Sequence, residues 1–225
     1  CFGCGAHGDA IEFLMEFLHL SFVEAVESLA ERFNVPLEIA ESGKPTQDIT
    51  QKKKMREVLQ ASARFYHFYL LKTQEGKEAL KYLYSRGLDE EFVKTFYLGL
   101  APSNSGIMLS FLKSRGFYLN TIEVSGLLRR GREFFQERIL FPIRDYRGAI
   151  IGFSGRKIQE STFGGKYINT PETPLFKKSS VLYGLNYCRR RIAKEKKVLI
   201  VEGQIDALRL IYEGLNYTVA GQGTA

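Results

Sequence analysis

The chain has 225 residues, 44% apolar and 25% charged, which is typical of a globular protein and enough for one large domain or two small ones. No run approaches the ~18 apolar residues of a membrane span, so the sequence excludes a membrane-spanning helix. The net charge of +7 is uneven: residues 138–197 contain 14 Lys or Arg and 4 Asp or Glu, a net +10, and the remainder carries −3. This concentration favours a polyanionic partner such as nucleic acid, with a solvated basic surface as the alternative.

The chain begins with Cys1-Phe2-Gly3-Cys4-Gly5, a C-x-x-C followed by glycine. This spacing is typical of a zinc knuckle, in which two thiolates on a tight turn face one metal. A structural zinc takes about four ligands, and only Cys1 and Cys4 are evident, with His7 as a third candidate. We therefore interpret it as half of a zinc site completed by residues before Cys1; a redox pair or an incidental spacing is the alternative. We expect both chain ends to be cuts in a longer protein.

Helical patterns dominate the first 125 residues. The apolar spacing predicts a hairpin of two helices, followed by a polar, Gly- and Pro-containing linker over residues 40–54. A long aromatic helix and four shorter ones come next. The predicted helices are Asp9–Leu18, a helix opened by a capping box at Ser21 and continuing through Phe33, Met55–Leu71, Glu75–Ser85, a helix capped by Asp89 and continuing through Phe96, Ile107–Ser114 and Tyr118–Val124.

The spacing of apolar residues changes from helix-like to strand-like after Gly131. Residues 134–143 and 149–153 predict two strands joined by a turn at 145–148, a hairpin whose rim is basic. A Pro-punctuated loop follows near Thr170, and Leu185–Lys194 predicts a basic helix.

An acidic segment follows the last apolar run. Val198–Val201 predicts a buried strand, after which come Glu202, Gly203 and Asp206 and a further helix. A carboxylate where a buried strand ends needs compensation, and this edge of an open α/β sheet is where ligands bind. We expect a divalent cation there, with Gly203 allowing a tight turn.

Six motifs in order resemble bacterial DNA primases, which combine a zinc ribbon with a toprim-type polymerase core. The resemblance covers nearly the whole chain. The motifs are Cys1–Gly5 with Gly8-Asp9, Glu137–Ile143, Gly152–Arg156, Lys166–Thr173, Leu182–Leu185, and Val201–Gly203 with Asp206.

The resemblance implies an α+β fold with four parts. Residues 1–39 would be the tail of a zinc ribbon with a helical hairpin, and 40–54 a linker. Residues 55–195 would be a mixed α/β basic subdomain, the N-terminal part of the polymerase core, and 196–225 the start of a toprim α/β module.

It also implies DNA-templated synthesis of short RNA primers, a Mg- or Mn-dependent nucleotidyl transfer. Glu202 would be a magnesium-associated catalytic carboxylate supported by Asp206, and Cys1 and Cys4 would bind zinc. Tyr167 would stack on a base or simply pack. The residues expected to contact phosphates are Arg138, Arg156, Lys166 and Lys177.

The implied partners are single-stranded DNA template, RNA primer, nucleoside triphosphates and, through a C-terminal domain absent from this sequence, the replicative helicase. We expect a cytoplasmic bacterial monomer at the replication fork, with no membrane association.

The sequence departs from the family pattern in several places. Ser154 stands where glycine is usual, and Gln204-Ile205 where Tyr-Met is usual. The first zinc knuckle and the later Asp-x-Asp pair of the toprim module are absent, so the isolated chain is expected to be inactive. Two alternatives remain open: another toprim enzyme such as a topoisomerase, and a non-catalytic nucleic-acid-binding module.

Overall fold

The structure is a computed structural model that describes residues 3, 7–18, 20, 22–35 and 47–222. The chain divides into two compact units, Cys1–Thr46 and Gln47–Ala225. This division falls inside the segment predicted as a linker. No helix among the described residues is long and apolar enough to cross a membrane.

The first unit contains the predicted helical hairpin, α1 (Ala10–Leu18) and α2 (Phe22–Phe33). Asp9 caps α1, because its Oδ1 accepts hydrogen bonds from Ile11 N at 2.8 Å and Glu12 N at 3.0 Å. Ser21, the predicted capping residue of α2, lies outside the described residues.

The second unit is a mixed α/β domain, which confirms the predicted fold class. Its helices are α3 (Gln47–Lys72), α4 (Gln74–Ser85), α5 (Glu90–Thr95), α6 (Ile107–Ser114), α7 (Leu119–Val124), α8 (Leu185–Glu195) and α9 (Gln204–Tyr212). Its strands are β1 (Gly99–Ala101), β2 (Leu128–Arg129), β3 (Arg132–Glu133), β4 (Arg138–Arg144), β5 (Ile150–Lys157), β6 (Tyr167–Asn169), β7 (Leu199–Val201) and β8 (Thr218–Ala220).

The strands form three sheets. An antiparallel sheet has the order β1-β4-β5-β6, β2 pairs with β3 as a hairpin, and β7 pairs with β8 in parallel through the crossover helix α9. A bridge between Tyr183 and Ala220 connects the segment before α8 to β8. The parallel pair with its helix is the predicted start of an α/β module.

Helix α3 lies across the antiparallel sheet. Its buried residues recur at helical spacing, and they include Met55, Leu59 and Tyr66. Gly99 of β1 is required by this packing, since a Cβ there would lie 2.6 Å from the Cβ of Tyr66. The core therefore holds β1, and with it β4, directly beneath α3.

Helix α3 begins at Gln47, eight residues before the predicted start at Met55. The prediction of a linker over 40–54 is therefore wrong for residues 47–54. These residues are mostly polar, but they include no Gly or Pro. Gln and Lys are good helix formers, and Asp48 forms an ion pair with Lys52 at 3.2 Å, one helical turn away. A polar composition alone therefore does not distinguish an exposed helix from a linker.

The apolar run before Glu202 is a strand, but it is not buried as predicted. Leu199 is 37% and Ile200 67% exposed. β7 pairs with β8 alone, and among the described residues nothing covers its outer face. The apolar run indicated the strand correctly. Whether the strand is buried depends on other elements packing over it, and the run itself gives no information about those elements.

Candidate nucleic-acid and metal site

The predicted hairpin carries the basic side chains to one region. β5 pairs with β6 so that Arg156 lies opposite Tyr167, and Ser154 lies opposite Asn169. Residues opposite each other in antiparallel strands place their side chains on the same face. The Lys166–Thr173 motif is thereby fixed beside the Gly152–Arg156 motif.

Arg156 is nearly buried, at 7% exposure, between two aromatic rings. Its guanidinium carbon lies 5.3 Å from the ring centre of Tyr82 on α4 and 5.6 Å from that of Tyr167 on β6. Stacking of this kind stabilises a guanidinium without neutralising its charge. The two tyrosines therefore hold a permanent cation in place.

Arg138 is placed differently from its prediction. It is 1% exposed, and its guanidinium donates to the carbonyl oxygens of Gly155 at 3.2 Å, Gly165 at 3.0 Å and Phe163 at 2.6 Å. Burial lowers the pKa of Arg138. The buried guanidinium is used to fix the loop before β6, so we assign Arg138 a structural role rather than the predicted phosphate contact.

Lys166 and Lys177 are both exposed, and neither forms an ion pair among the described residues. The backbone at Lys166 is fixed, because its carbonyl accepts a hydrogen bond from Lys157 N at 3.0 Å. Lys177 follows Phe176, which is fully buried and anchors its loop. Both ammonium groups are available to an anion in solution.

The acidic segment forms an exposed corner where β7 meets α9. Glu202 and Asp206 are exposed, and Asp206 lies in the first turn of α9. A Cβ on Gly203 would collide with Oδ2 of Asp206. The backbone at Gly203 is extended, with φ −94°, a conformation that any residue adopts, so the turn predicted there does not itself require glycine. Glycine lets the Asp206 carboxylate lie against the backbone here, and a larger residue would require that exposed side chain to rotate away.

The charge of the acidic corner reaches strand β6. Burial raises the pKa of Tyr167, Arg156 lowers it, and the charge of Asp206 raises it. The charges of Arg156 and Asp206 therefore both act on the phenol of Tyr167. The structure brings two of the predicted site residues, Arg156 and Tyr167, into contact, and the charge of Asp206 acts on the same phenol.

Amide side chains connect the same two regions. Asn169 Nδ2 donates to the carbonyl of Gln222 at 3.0 Å, and Gln204 Nε2 donates to Gln222 Oε1 at 2.8 Å. On the α4 side, Arg209 donates to the carbonyl of Arg86 at 2.8 Å. These bonds link β6 and α4 to the β7–β8 module.

Sequence reasoning missed several of these contacts. Tyr82 was assigned only to a helix, although it forms one side of the Arg156 stack, and Asn169 and Gln222 were not singled out. No local pattern indicates such contacts, because their partners lie far away along the chain. The unusual glutamine at position 204 was the one available signal for the amide pair.

The predicted zinc ligands Cys1 and Cys4 lie outside the described residues. His7, the third candidate, is described and exposed. No group of three or more His, Cys, Asp or Glu among the described residues could hold a metal ion. The donors at the acidic corner are carboxylate oxygens, which Mg²⁺ prefers, and magnesium commonly takes one or two of them and completes its shell with phosphates and water.

The family model for the N-terminal domain of the DNA primase catalytic core matches residues 65–189. The chain belongs to the DNA primase family. A second family model, the CHC2 zinc finger of primases, matches residues 1–45. The predicted family resemblance is thereby confirmed, and the topoisomerase alternative is not favoured.

Relatives and solved structures agree with this assignment. The DNA primase of Chlamydia pneumoniae is 46% identical over 228 aligned residues, covering 100% of this chain and 38% of the relative. The Aquifex aeolicus primase structure, with zinc-binding and RNA polymerase domains, is 37% identical with a TM-score of 0.68, covering 100% of this chain and 54% of that one. The RNA polymerase domain of Mycobacterium tuberculosis primase, bound to a DNA duplex with a 6-nucleotide overhang, is 35% identical with a TM-score of 0.73, covering 77% and 55%. The chain thus spans about two fifths of the primase relative's length.

Proposed function

We propose that this chain is part of an enzyme that synthesises short RNA primers on single-stranded DNA. The observation that carries the proposal is the stack of Arg156 on Tyr167, on strands that the Asn169–Gln222 hydrogen bond connects to the module carrying Glu202 and Asp206. Primer synthesis needs this combination, because cations must hold the phosphates of template and nucleotide beside carboxylates that hold divalent metal. The mycobacterial relative with DNA in its structure supports DNA as the partner.

The basic side chains position polyanions in this proposal. Lys166 and Lys177 present exposed ammonium groups that act as point charges toward phosphate, while Arg156 contributes a fixed charge from within its stack. Tyr167 already packs on Arg156, yet it is 42% exposed, so its outer part remains available for a base. Packing and base stacking are thus compatible roles for this ring.

Glu202 with Asp206 would hold Mg²⁺ or Mn²⁺, which supplies activation of the attacking hydroxyl and neutralisation of the pyrophosphate leaving group. Two carboxylates are a partial set for this chemistry. In the N-terminal unit, Cys1 and Cys4 would hold zinc, in keeping with the zinc-finger family match. The two metals have separate tasks, because a closed structural zinc has no open position for substrate.

The remaining partners are also proposed from the family. They are an RNA primer, nucleoside triphosphates and the replicative helicase, and the proposed setting is the bacterial cytoplasm at the replication fork. We propose a monomer, with 1–39, 47–195 and 196–225 as its functional parts.

Primer synthesis by a chimaeric enzyme tests the proposed function. The chimaera carries these 225 residues in place of the matching part of the Chlamydia pneumoniae primase. With single-stranded template, ribonucleotides and Mg²⁺, it is expected to make primers. Glu202→Gln is expected to lower primer yield by at least about a hundredfold, ~2.7 kcal/mol in the barrier, because it removes a charged metal ligand.

Glu213→Gln is the matched control, since Glu213 is an exposed acid just beyond the other end of α9. DNA affinity of both variants should stay near that of the parent. A chimaera that binds DNA and makes no primers would support the non-catalytic module instead. Full activity of Glu202→Gln would remove Glu202 from the metal site.

A further inference from the structure

A second basic site lies on the outer side of α8, apart from the proposed catalytic corner. It is a cavity of about 500 Å³ between α8, the end of α5 and the last turn of α9. Asp206 is in the first turn of α9 and Tyr212 is at its end, so about 9 Å of helix separates the corner from this cavity. The basic run of α8, noted in the sequence, has no role in primer synthesis as proposed above.

One face of α8 lines the cavity. Tyr187, Arg190, Arg191 and Lys194 recur at the i, i+3, i+4, i+7 spacing of a single helical face, while Cys188 points into the core. The sequence therefore gives this helix one buried face and one face that combines a ring with three cations. The C-terminal turn of α8 and the residues after it add Lys196 and Lys197 to the local positive charge.

Two of the three cations are free. Arg191 pairs with Glu195, and Glu195 is shared with Lys197 at 3.1 Å. Arg190 and Lys194 are exposed and have no ion pair or hydrogen bond within the part of the chain that the structure describes. A solvated cation at a helix C-terminus is favourable by itself, so charge alone does not define a site.

The aromatic walls of the cavity are already fixed. Tyr187 meets Phe96 edge to face, with ring centres 5.3 Å apart. Tyr212 packs on Phe92 at 5.3 Å, and its hydroxyl donates to Asp89 at 3.2 Å. Rigid rings beside two free cations form a pre-organised surface, which lowers the entropy cost of binding a flat, charged ligand.

We propose that this cavity binds a phosphorylated nucleotide, with its phosphates on Arg190 and Lys194 and its base against the tyrosine walls. Arginine and lysine bind phosphate, aromatic side chains stack on bases, and Asn216 adds an amide for polar contact. The volume lies within the ~300–1,000 Å³ of ordinary ligand pockets. The nucleotide is either free or one unit of a nucleic-acid strand.

The test uses the 225-residue chain, with ATP and a hexadeoxythymidylate as alternative probes in separate calorimetric titrations. EDTA is present throughout, so that binding at the metal-dependent site does not contribute to the titration. The result for this cavity therefore does not depend on whether the proposed primer synthesis is correct. The double variant R190Q/K194Q removes the two free cations. The control, K53Q/K54Q, removes two exposed cations from α3 and so matches the change in net charge.

The affinity for at least one probe is expected to fall about tenfold or more in R190Q/K194Q, because two charge-assisted contacts are lost, and to change much less in the control. A loss for ATP indicates a free nucleotide, and a loss for the oligonucleotide alone indicates a strand. Failure of both probes to bind, or equal affinities in the two double variants, would overturn the proposal.

Discussion

Single residues decide the geometry of the candidate site in ways their type does not reveal. Arg138 and Arg156 stand on paired strands and looked equivalent in the sequence, yet one donates only to backbone carbonyls and the other stacks between two tyrosines. Gly203 was predicted to allow a tight turn, and the structure adds that a Cβ there would meet the Asp206 carboxylate. The sequence indicated which positions matter, while the identity of their partners required the fold.

The substitution Gly203→Ala tests the close approach of Asp206. The added methyl must displace the carboxylate, which can rotate toward solvent because Asp206 is exposed. Primer yield of the chimaera is expected to fall about tenfold, ~1.4 kcal/mol in the barrier, with stability changed by less than about 1 kcal/mol. Gly221→Ala is the control, since a Cβ there meets open space. Equal primer yields in the two variants would show that the position of Asp206 is unimportant.

The elements themselves were largely predictable from local patterns. Asp89 caps α5 as expected, its Oδ1 accepting from Phe92 N at 2.7 Å, and α6 has its predicted bounds. The errors have two causes. Residues 47–54 are helical because Gln and Lys favour a helix despite their polarity, whereas the exposure of β7 depends on partners distant in the chain. A helix can extend through polar residues, and a strand is buried only if another layer covers it.

A buried acid connects two of these elements and predicts a pH effect. Glu133 of β3 is 6% exposed, and its Oε1 accepts from Leu109 N in the first turn of α6 at 2.8 Å. Burial raises the pKa of Glu133, and hydrogen bonds from the backbone of α6 oppose that rise. Since the folded pKa lies above the unfolded one, the folded state favours the protonated acid, and stability is lost as pH rises through the folded pKa.

Glu133→Gln should therefore stabilise the chain at pH ~7.5, because the amide keeps the acceptor and removes the buried charge. The expected gain is up to about 1 kcal/mol, or ~2–4 °C in thermal midpoint, and it should vanish as pH falls toward ~4. Thermal unfolding across this range measures it, with Glu123→Gln on the exposed side of α7 as control. A variant less stable than the parent at pH ~7.5 would show that the ionised carboxylate is favourable.

At the largest scale, the second unit joins a basic antiparallel sheet to an α/β module that carries Glu202 and Asp206. The sequence indicated both parts, because residues 138–197 concentrate positive charge and two carboxylates follow β7. The sequence did not indicate how they join, because the bonds from Asn169 to Gln222 and from Arg209 to Arg86 connect residues far apart in the chain. In the proposed function, β6 at this junction is the surface that receives nucleic acid.

The most direct measurement is the salt dependence of single-stranded DNA binding by the chain carrying Lys166→Ala. Lys166 is exposed and unpaired among the described residues beside the Tyr167 stack, so its loss should weaken binding and reduce the slope of log affinity against log salt by about 0.7. Lys53→Ala, an equal change of charge on α3, should leave the slope nearly unchanged. A Lys166→Ala variant with the parent's affinity and slope would contradict the placement of nucleic acid on β6.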